Sequence, residues 1–224
     1  MNTQNERPAV KITFSILIIL SLSHLLNDLL QSVISAAYPL FKDDLSLSFA
    51  QIGLITLVYQ LSASVFQPLT GLVFDKHPVS WSLPLGMTFT MIGLLNLAYA
   101  SSINWILLSV SLVGVGSSIL HPEASRITFL ASGGKRGLAQ SLFQVGGNLG
   151  GSLGPLMVAL LVAPYGRHHI VVFAVLALIA IGVMFPICKW YKAYLVKLKS
   201  QKIYVKKDVQ LPLSKSRTVF SISI

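Results

Sequence analysis

Six long apolar runs joined by short loops leave this chain one kind of fold. They fall at about 14–41, 49–74, 81–100, 103–124, 138–163 and 168–188. Each is close to the ~20 residues a helix needs to cross the hydrocarbon core of a bilayer. Lipid offers no hydrogen bonds, so a spanning segment must satisfy its backbone internally, and runs of this length do so as helices. The charge content agrees. Only 11% of the 224 residues are charged and 54% are hydrophobic, whereas a soluble domain carries about 25% charged residues. The expected fold class is therefore an all-α integral membrane protein with six transmembrane helices. Lys11, the run Ile12–Leu22 and the later Ser35-Ala36-Ala37 imitate a signal peptide. The polar stretch His24–Gln31 interrupts that pattern and the apolar run then resumes, so the segment reads as the first span.

A net charge of +10 raises the question of nucleic acid, and the placement of the charge answers it. Nine of the 17 basic residues lie between Lys189 and Arg217, where the only acid is Asp208. With the N-terminus inside, 15 of the 17 fall on the inner side, and only Lys42 and Arg167 fall outside. That is the positive-inside pattern of a multi-pass protein with both termini cytoplasmic. No nucleic-acid partner is expected, and anionic lipid head groups are a secondary one. The expected organisation is a cytoplasmic N-terminus at 1–13, a six-helix bundle at 14–188 and a basic cytoplasmic segment at 189–224. The run Arg217–Ile224 reads as the start of a seventh helix cut short. The lone Cys188 excludes an intrachain disulfide and a multi-cysteine metal site.

The polar residues inside the spans carry the functional signal, because an ionisable group at membrane depth needs a partner or a water-filled cavity. Ser21, His24, Asn27, Asp28, Gln31 and Ser35 recur at three and four and form one stripe on the first span. Leu22, Leu25, Leu26, Leu29, Leu30 and Val33 fall opposite. The stripe either glues helices together through hydrogen bonds or lines a path. For Asp28 the second reading is preferred, since an unpaired buried carboxylate is costly. The fourth span ends in Gly114-Val-Gly-Ser-Ser-Ile-Leu-His-Pro-Glu-Ala-Ser-Arg126. There His121 and Glu123 are two apart, so they point to different neighbours, and Pro122 frees carbonyls in the preceding turn.

Elsewhere the polar groups are neutral. Thr56, Gln60, Ser64 and Gln67 share a face of the second span beside Tyr59, with Pro68 following; packing glue is the plainer role. Asp75, at that span's end, either caps a neighbouring helix or pairs with a base. The third span is nearly featureless and is expected to face lipid on one side, with Trp81 and Trp105 as interfacial anchors. The fifth span holds three overlapping small-residue pairs, Gly146/Gly150, Gly147/Gly151 and Gly150/Gly154, which offer a flat contact face or a sliding one. Gln140, Gln144 and Asn148 edge it. The sixth span reads as scaffold.

Two of these features resemble motifs of the major facilitator superfamily. Gly71-x-x-x-Asp75-Lys76 is similar to its loop signature, and the glycine-rich run through Gly150 to Gly154-Pro155 resembles its antiporter motif. Three stretches resemble the fosmidomycin resistance protein family more specifically: Ser23-His-Leu-Leu-Asn-Asp28, Asp75-Lys-His-Pro with Leu83-Pro-Leu-Gly-Met87, and Gly116 to Arg126. The chain departs from the wider loop signature, since His77-Pro78-Val79-Ser80 follows Lys76 where glycine and further bases are expected.

The resemblance implies the N-terminal six-helix half of a drug exporter of the bacterial inner membrane, driven by proton antiport. Its two halves would be related by pseudo-symmetry, with the substrate site between them. Asp28 and Glu123 are the expected proton carriers, since an apolar surrounding favours a neutral carboxyl, with His24 and His121 as relays. Asn27, Gln31, Gln60, Gln67, Arg126, Gln144 and Asn148 are the expected substrate path, Arg126 either attracting an anion or pairing with an acid. The expected partners are the bilayer, a small drug, protons, and a separate C-terminal half or a second copy. An inactive or split fragment is the alternative. An intramembrane enzyme is disfavoured by the lack of a His-Glu-x-x-His or Gly-x-Ser-Gly motif. No cofactor or metal is expected.

Overall fold

The computed structural model describes residues 12–208, with side chains through residue 200. Residues 1–11 and the apolar run Arg217–Ile224 lie outside the described residues. The elements are α1 (Phe14–Ala36), α2 (Tyr38–Asp44), α3 (Phe49–Lys76), α4 (Ser82–Ala98), α5 (Ile103–Ala131), α6 (Arg136–Leu161), a 3-10 turn at Arg167–Ile170, and α7 (Val171–Asp208). The six expected spans are α1, α3, α4, α5, α6 and α7, and the fold class is the all-α membrane bundle. Among the described residues, four segments are both long and apolar enough to cross a bilayer: Phe14–Asp44, Phe49–Lys76, Ile103–Ala131 and Arg167–Ser200. The apolar α4 has 17 residues, and α6 reaches 26 but is diluted by glycine and amides.

Prolines decide several boundaries. The first apolar run was expected to be one helix over 14–41, but it breaks at Ala37. Pro39 has no N–H to give the carbonyl four residues back and opens α2 instead, a position where proline is tolerated. Pro122 has the opposite outcome. The fourth span was expected to end near 124, yet α5 runs through Pro122 to Ala131. The carbonyl four residues before Pro122 belongs to Ser118, and the Thr70 hydroxyl of α3 donates to it at 2.6 Å. A neighbouring helix thus supplies the missing hydrogen bond. At the other end of α3, Ser48 and Gln51 form a reciprocal capping box at 3.2 and 2.8 Å. The last span was expected to end at 188, and α7 continues to Asp208. Past Tyr191 the helix loses apolar residues but not helix formers, as Lys, Ala and Leu keep propensity high.

Backbones approach closely where glycine permits. A Cβ on Gly146, Gly150 or Gly154 of α6 would overlap the Ser21, Leu25 and Leu29 carbonyls of α1 in turn. The numbers rise together, so α1 and α6 run parallel and meet in four-residue steps. The expected Gly147/Gly151 pair does not act as one: Gly147 faces His24 and Asp28, while Gly151 has nothing within 4 Å. Gly86 of α4 presses on the Gly116 carbonyl of α5, and Gly93 on the Ser109 carbonyl. α7 closes the back of the bundle against α4 and α1, burying Phe173, Ala177, Met184 and Tyr191. By contrast α3 buries only Ile55 and Phe74 of its 28 residues. Trp81 and Trp105 are exposed, as interfacial anchors would be. At the end of the bundle where α4 meets α5, Arg167 Nε lies 3.0 Å from Asp44. The same side chain donates to the Ala100 carbonyl.

Candidate functional site

The polar stripe of α1 is turned into the bundle at its centre. His24 lies ten residues into the helix, roughly 15 Å along its axis. His24, Asn27, Asp28 and Gln31 follow at intervals of three, one and three, so they share one face. His24 Nδ1–H donates to the Phe143 carbonyl of α6 at 2.9 Å, and its ring stacks on that of Phe143 with centroids 3.9 Å apart. This pins the imidazole with Nε2 aimed at Asp28 Oδ2, 3.2 Å away. From α5, His121 brings its Nε2 to 3.7 Å from Asp28 Oδ1. Asn27 Nδ2 donates to the same oxygen at 3.1 Å. Room for the cluster comes from Gly147, whose missing Cβ would lie 2.7 Å from Asp28 Oδ2 and from His24 Nδ1. Asp28 and His121 keep 25% and 28% of their side chains accessible, so the cluster is reachable from the open side.

One turn further, Gln31 Oε1 accepts from Tyr59 of α3 at 2.6 Å and from Ser117 of α5 at 3.2 Å. Its buried Nε2 has no protein partner, nor has Asn27 Oδ1. Among the described residues, two amides thus leave one buried donor and one buried acceptor without a protein partner beside a carboxylate.

Glu123 does not join this cluster. It is buried on the other side of α5, where Ser82 of α4 donates to it at 2.7 Å. Arg126 Nη2 stands 2.9 Å from both its oxygens. Both terminal nitrogens of Arg126 are engaged: they also donate to the Tyr191 hydroxyl at 2.6 Å, to the Phe74 carbonyl at 3.0 Å and to Asp75 at 3.3 Å. Of the two expectations for Arg126, the structure shows the pairing with acids. It likewise shows Asp75 paired with a base. This second cluster joins α3, α4, α5 and α7.

The remaining expected residues sit on open faces. Gln60 and Gln67 of α3, and Gln144 and Asn148 of α6, are exposed. Pro155 is exposed, Gly150 and Gly154 are buried against α1, and Gly71 has no neighbour within 4 Å. Lys76 is exposed. Sequence reasoning missed Ser82, Ser117, Phe143 and Tyr191. Ser117 and Ser118 were visible as small residues, but nothing in the sequence marks Ser82 or Tyr191 as partners of an ion pair.

The chain matches the family model of the Major Facilitator Superfamily over residues 20–219. It is 50% identical to the fosmidomycin resistance protein of Escherichia coli (strain K12) over 212 residues, 95% of this chain and 52% of that protein. It is 42% identical to the uncharacterized MFS-type transporter YfnC of Bacillus subtilis (strain 168), over 92% of this chain and 50% of that one. The chain therefore spans about half the length of these curated relatives. Among solved structures, the fold is similar to a peptide transporter of the POT type in complex with sulfate. That match has a TM-score of 0.60 at 18% identity, over 90% of this chain and 46% of that one.

Proposed function

The chain belongs to the major facilitator superfamily, and from that membership we propose that it supplies one six-helix half of a path for proton-coupled export of a small polar drug, of the kind named for its Escherichia coli relative. The carrying observation is Asp28 near the middle of α1, held between His24 and His121 with an open side. A carboxyl there takes up a proton from one side and returns it to the other as the surrounding helices move, with the imidazoles as neighbours able to accept or give a proton. The unpartnered amide groups of Gln31 and Asn27, buried in this structure, contact the drug once the surrounding helices move. Glu123 is the weaker carrier, because Arg126 and Ser82 already engage it. The native site in this reading is the inner membrane, with both termini cytoplasmic.

The partner in this reading is a second six-helix half, made as a separate chain or as a second copy. The exposed amides Gln60, Gln67, Gln144 and Asn148 favour this, because they share the open faces of α3 and α6 with apolar residues suited to a helical partner. The test is drug-induced collapse of a pH gradient in everted vesicles that contain the chain with its partner half. Wild type is expected to collapse the gradient and Asp28→Asn to lower the initial rate by at least about tenfold, the lower part of what a positioned acid–base group contributes. Unchanged coupling in Asp28→Asn would remove Asp28 from the mechanism.

A further inference from the structure

We propose that His24, Asp28 and His121 form a binding site for one divalent transition-metal ion of the zinc class. Their ligand atoms, two imidazole nitrogens and a carboxylate oxygen, all lie within 4.8 Å of one another. Ligands held at ~2.0–2.2 Å around a tetrahedral ion stand roughly 3.3 Å apart. His24 Nε2 is 3.2 Å from Asp28 Oδ2 and His121 Nε2 is 3.7 Å from Oδ1, so the two oxygens of one carboxylate face the two imidazoles at near-tetrahedral ligand spacing.

The outer shell is also that of a metal site. A metal-bound histidine typically donates its other ring N–H to a carbonyl or carboxylate, which fixes the tautomer and the ring. His24 does this through Phe143, and the stacked Phe143 ring holds the plane. Asn27 steadies the carboxylate. With Nδ1–H committed to the Phe143 carbonyl, Nε2 of His24 and an oxygen of Asp28 face each other across a gap that either a proton or a metal ion fills. The nearby cation Arg126 is engaged by Glu123, Tyr191, Phe74 and Asp75 instead. Gly147 keeps a side chain out of the space, and the exposure of Asp28 and His121 leaves an entry path and a coordination position for water. Two imidazoles and one carboxylate suit zinc or cobalt and not calcium or magnesium. Because the ligands come from α1 and α5, the ion ties those helices together. The site does not depend on the transport reading: a chain that moves no solute still binds the ion.

The experiment uses the full chain, purified without a histidine tag, in lipid nanodiscs and titrated with Co2+. The expected result is one Co2+ per chain with the visible d–d absorption of a low-coordinate site, displaced by Zn2+. His121→Ala and Asp28→Asn should each weaken binding by at least about a hundredfold, since losing a ligand costs no less than the roughly 10–100-fold that losing an outer-shell partner does. His168→Ala, far from the cluster, should leave it unchanged. Should a variant fail to fold, X-ray absorption of the zinc-loaded wild type decides by counting two imidazoles. No Co2+ spectrum, binding that survives His121→Ala, loss of binding in His168→Ala, or fewer than two imidazoles would each overturn the site.

Discussion

Removing Arg126 should destabilise the bundle mainly through Glu123 and hardly through Asp75. Glu123 keeps only 2% of its side chain exposed and Arg126 24%, while Asp75 is 66% exposed. Breaking a buried ion pair from one side costs about 3–5 kcal/mol, because the other charge stays behind without compensation. The partial exposure of Arg126 places Arg126→Met at the lower end, about 3 kcal/mol. The pair with Asp75 is a surface contact, worth about 0–1 kcal/mol. Neutralising the stranded acid should recover most of the loss. In a Glu123→Gln background, Arg126→Met is expected to cost only about 1 kcal/mol, roughly that of a neutral hydrogen bond. The resulting coupling of about 2 kcal/mol is a roughly thirtyfold change in the unfolding equilibrium. Denaturant titration in mixed micelles measures it, with the lone thiol at Cys188 as reporter, since a thiol-specific dye reacts as α7 opens. A Glu123–Arg126 coupling below about 0.5 kcal/mol, the level at which sites behave independently, would refute this reasoning. So would one no larger than that of Asp75–Arg126.

The glycine seam is tested by Gly150→Leu against Gly151→Leu. The first forces α6 off the Leu25 backbone and should cost at least about 2 kcal/mol, in the range of overpacking; the second meets no protein neighbour and should be near neutral, both read from thermal unfolding in detergent. Thr70→Val removes the hydroxyl that serves the Ser118 carbonyl freed by Pro122. It should cost about 0.6–2 kcal/mol, and Pro122→Ala, which restores the helical donor, should cancel the loss in the double variant. Arg167→Met should raise amide hydrogen exchange in α2 and the loop to Ser48, leaving α5 protected, because Asp44 and the Ala100 carbonyl lose their shared partner.

Much of this was legible along one helix at a time. The existence of the spans follows from run length alone, and the shared face of His24 and Asp28 follows from their four-residue spacing. What could not be read was which helix stands beside which. His121 reaches Asp28 because α5 lies against α1, and no local pattern encodes that. Ser82 looks like the first residue of an apolar helix and turns out to be the hydroxyl that holds Glu123. The prolines show the same limit. Pro39 and Pro122 each remove one N–H; the first run breaks near Pro39, and the second continues through Pro122 with Thr70 of an adjacent helix serving the freed carbonyl, a partner no local pattern reveals. The end of α7 was misplaced for a different reason: apolarity and helix propensity usually stop together, and here the lysine-rich stretch keeps the second after losing the first.

The two arginine clusters stand about 35 Å apart along α5, at opposite mouths of the bundle. Each works as a hoop on a cask. One draws together α3, α4, α5 and α7 through Arg126. The other fastens the end of α2 and the turn before α5 to the start of α7 through Arg167. The staves held at both rims are α5 and α7, and these two cannot splay at one rim by hinging at the other. A displacement that leaves both hoops intact carries α5 and α7 together, and α1 and α6, which neither hoop touches, are the staves free to shift against them.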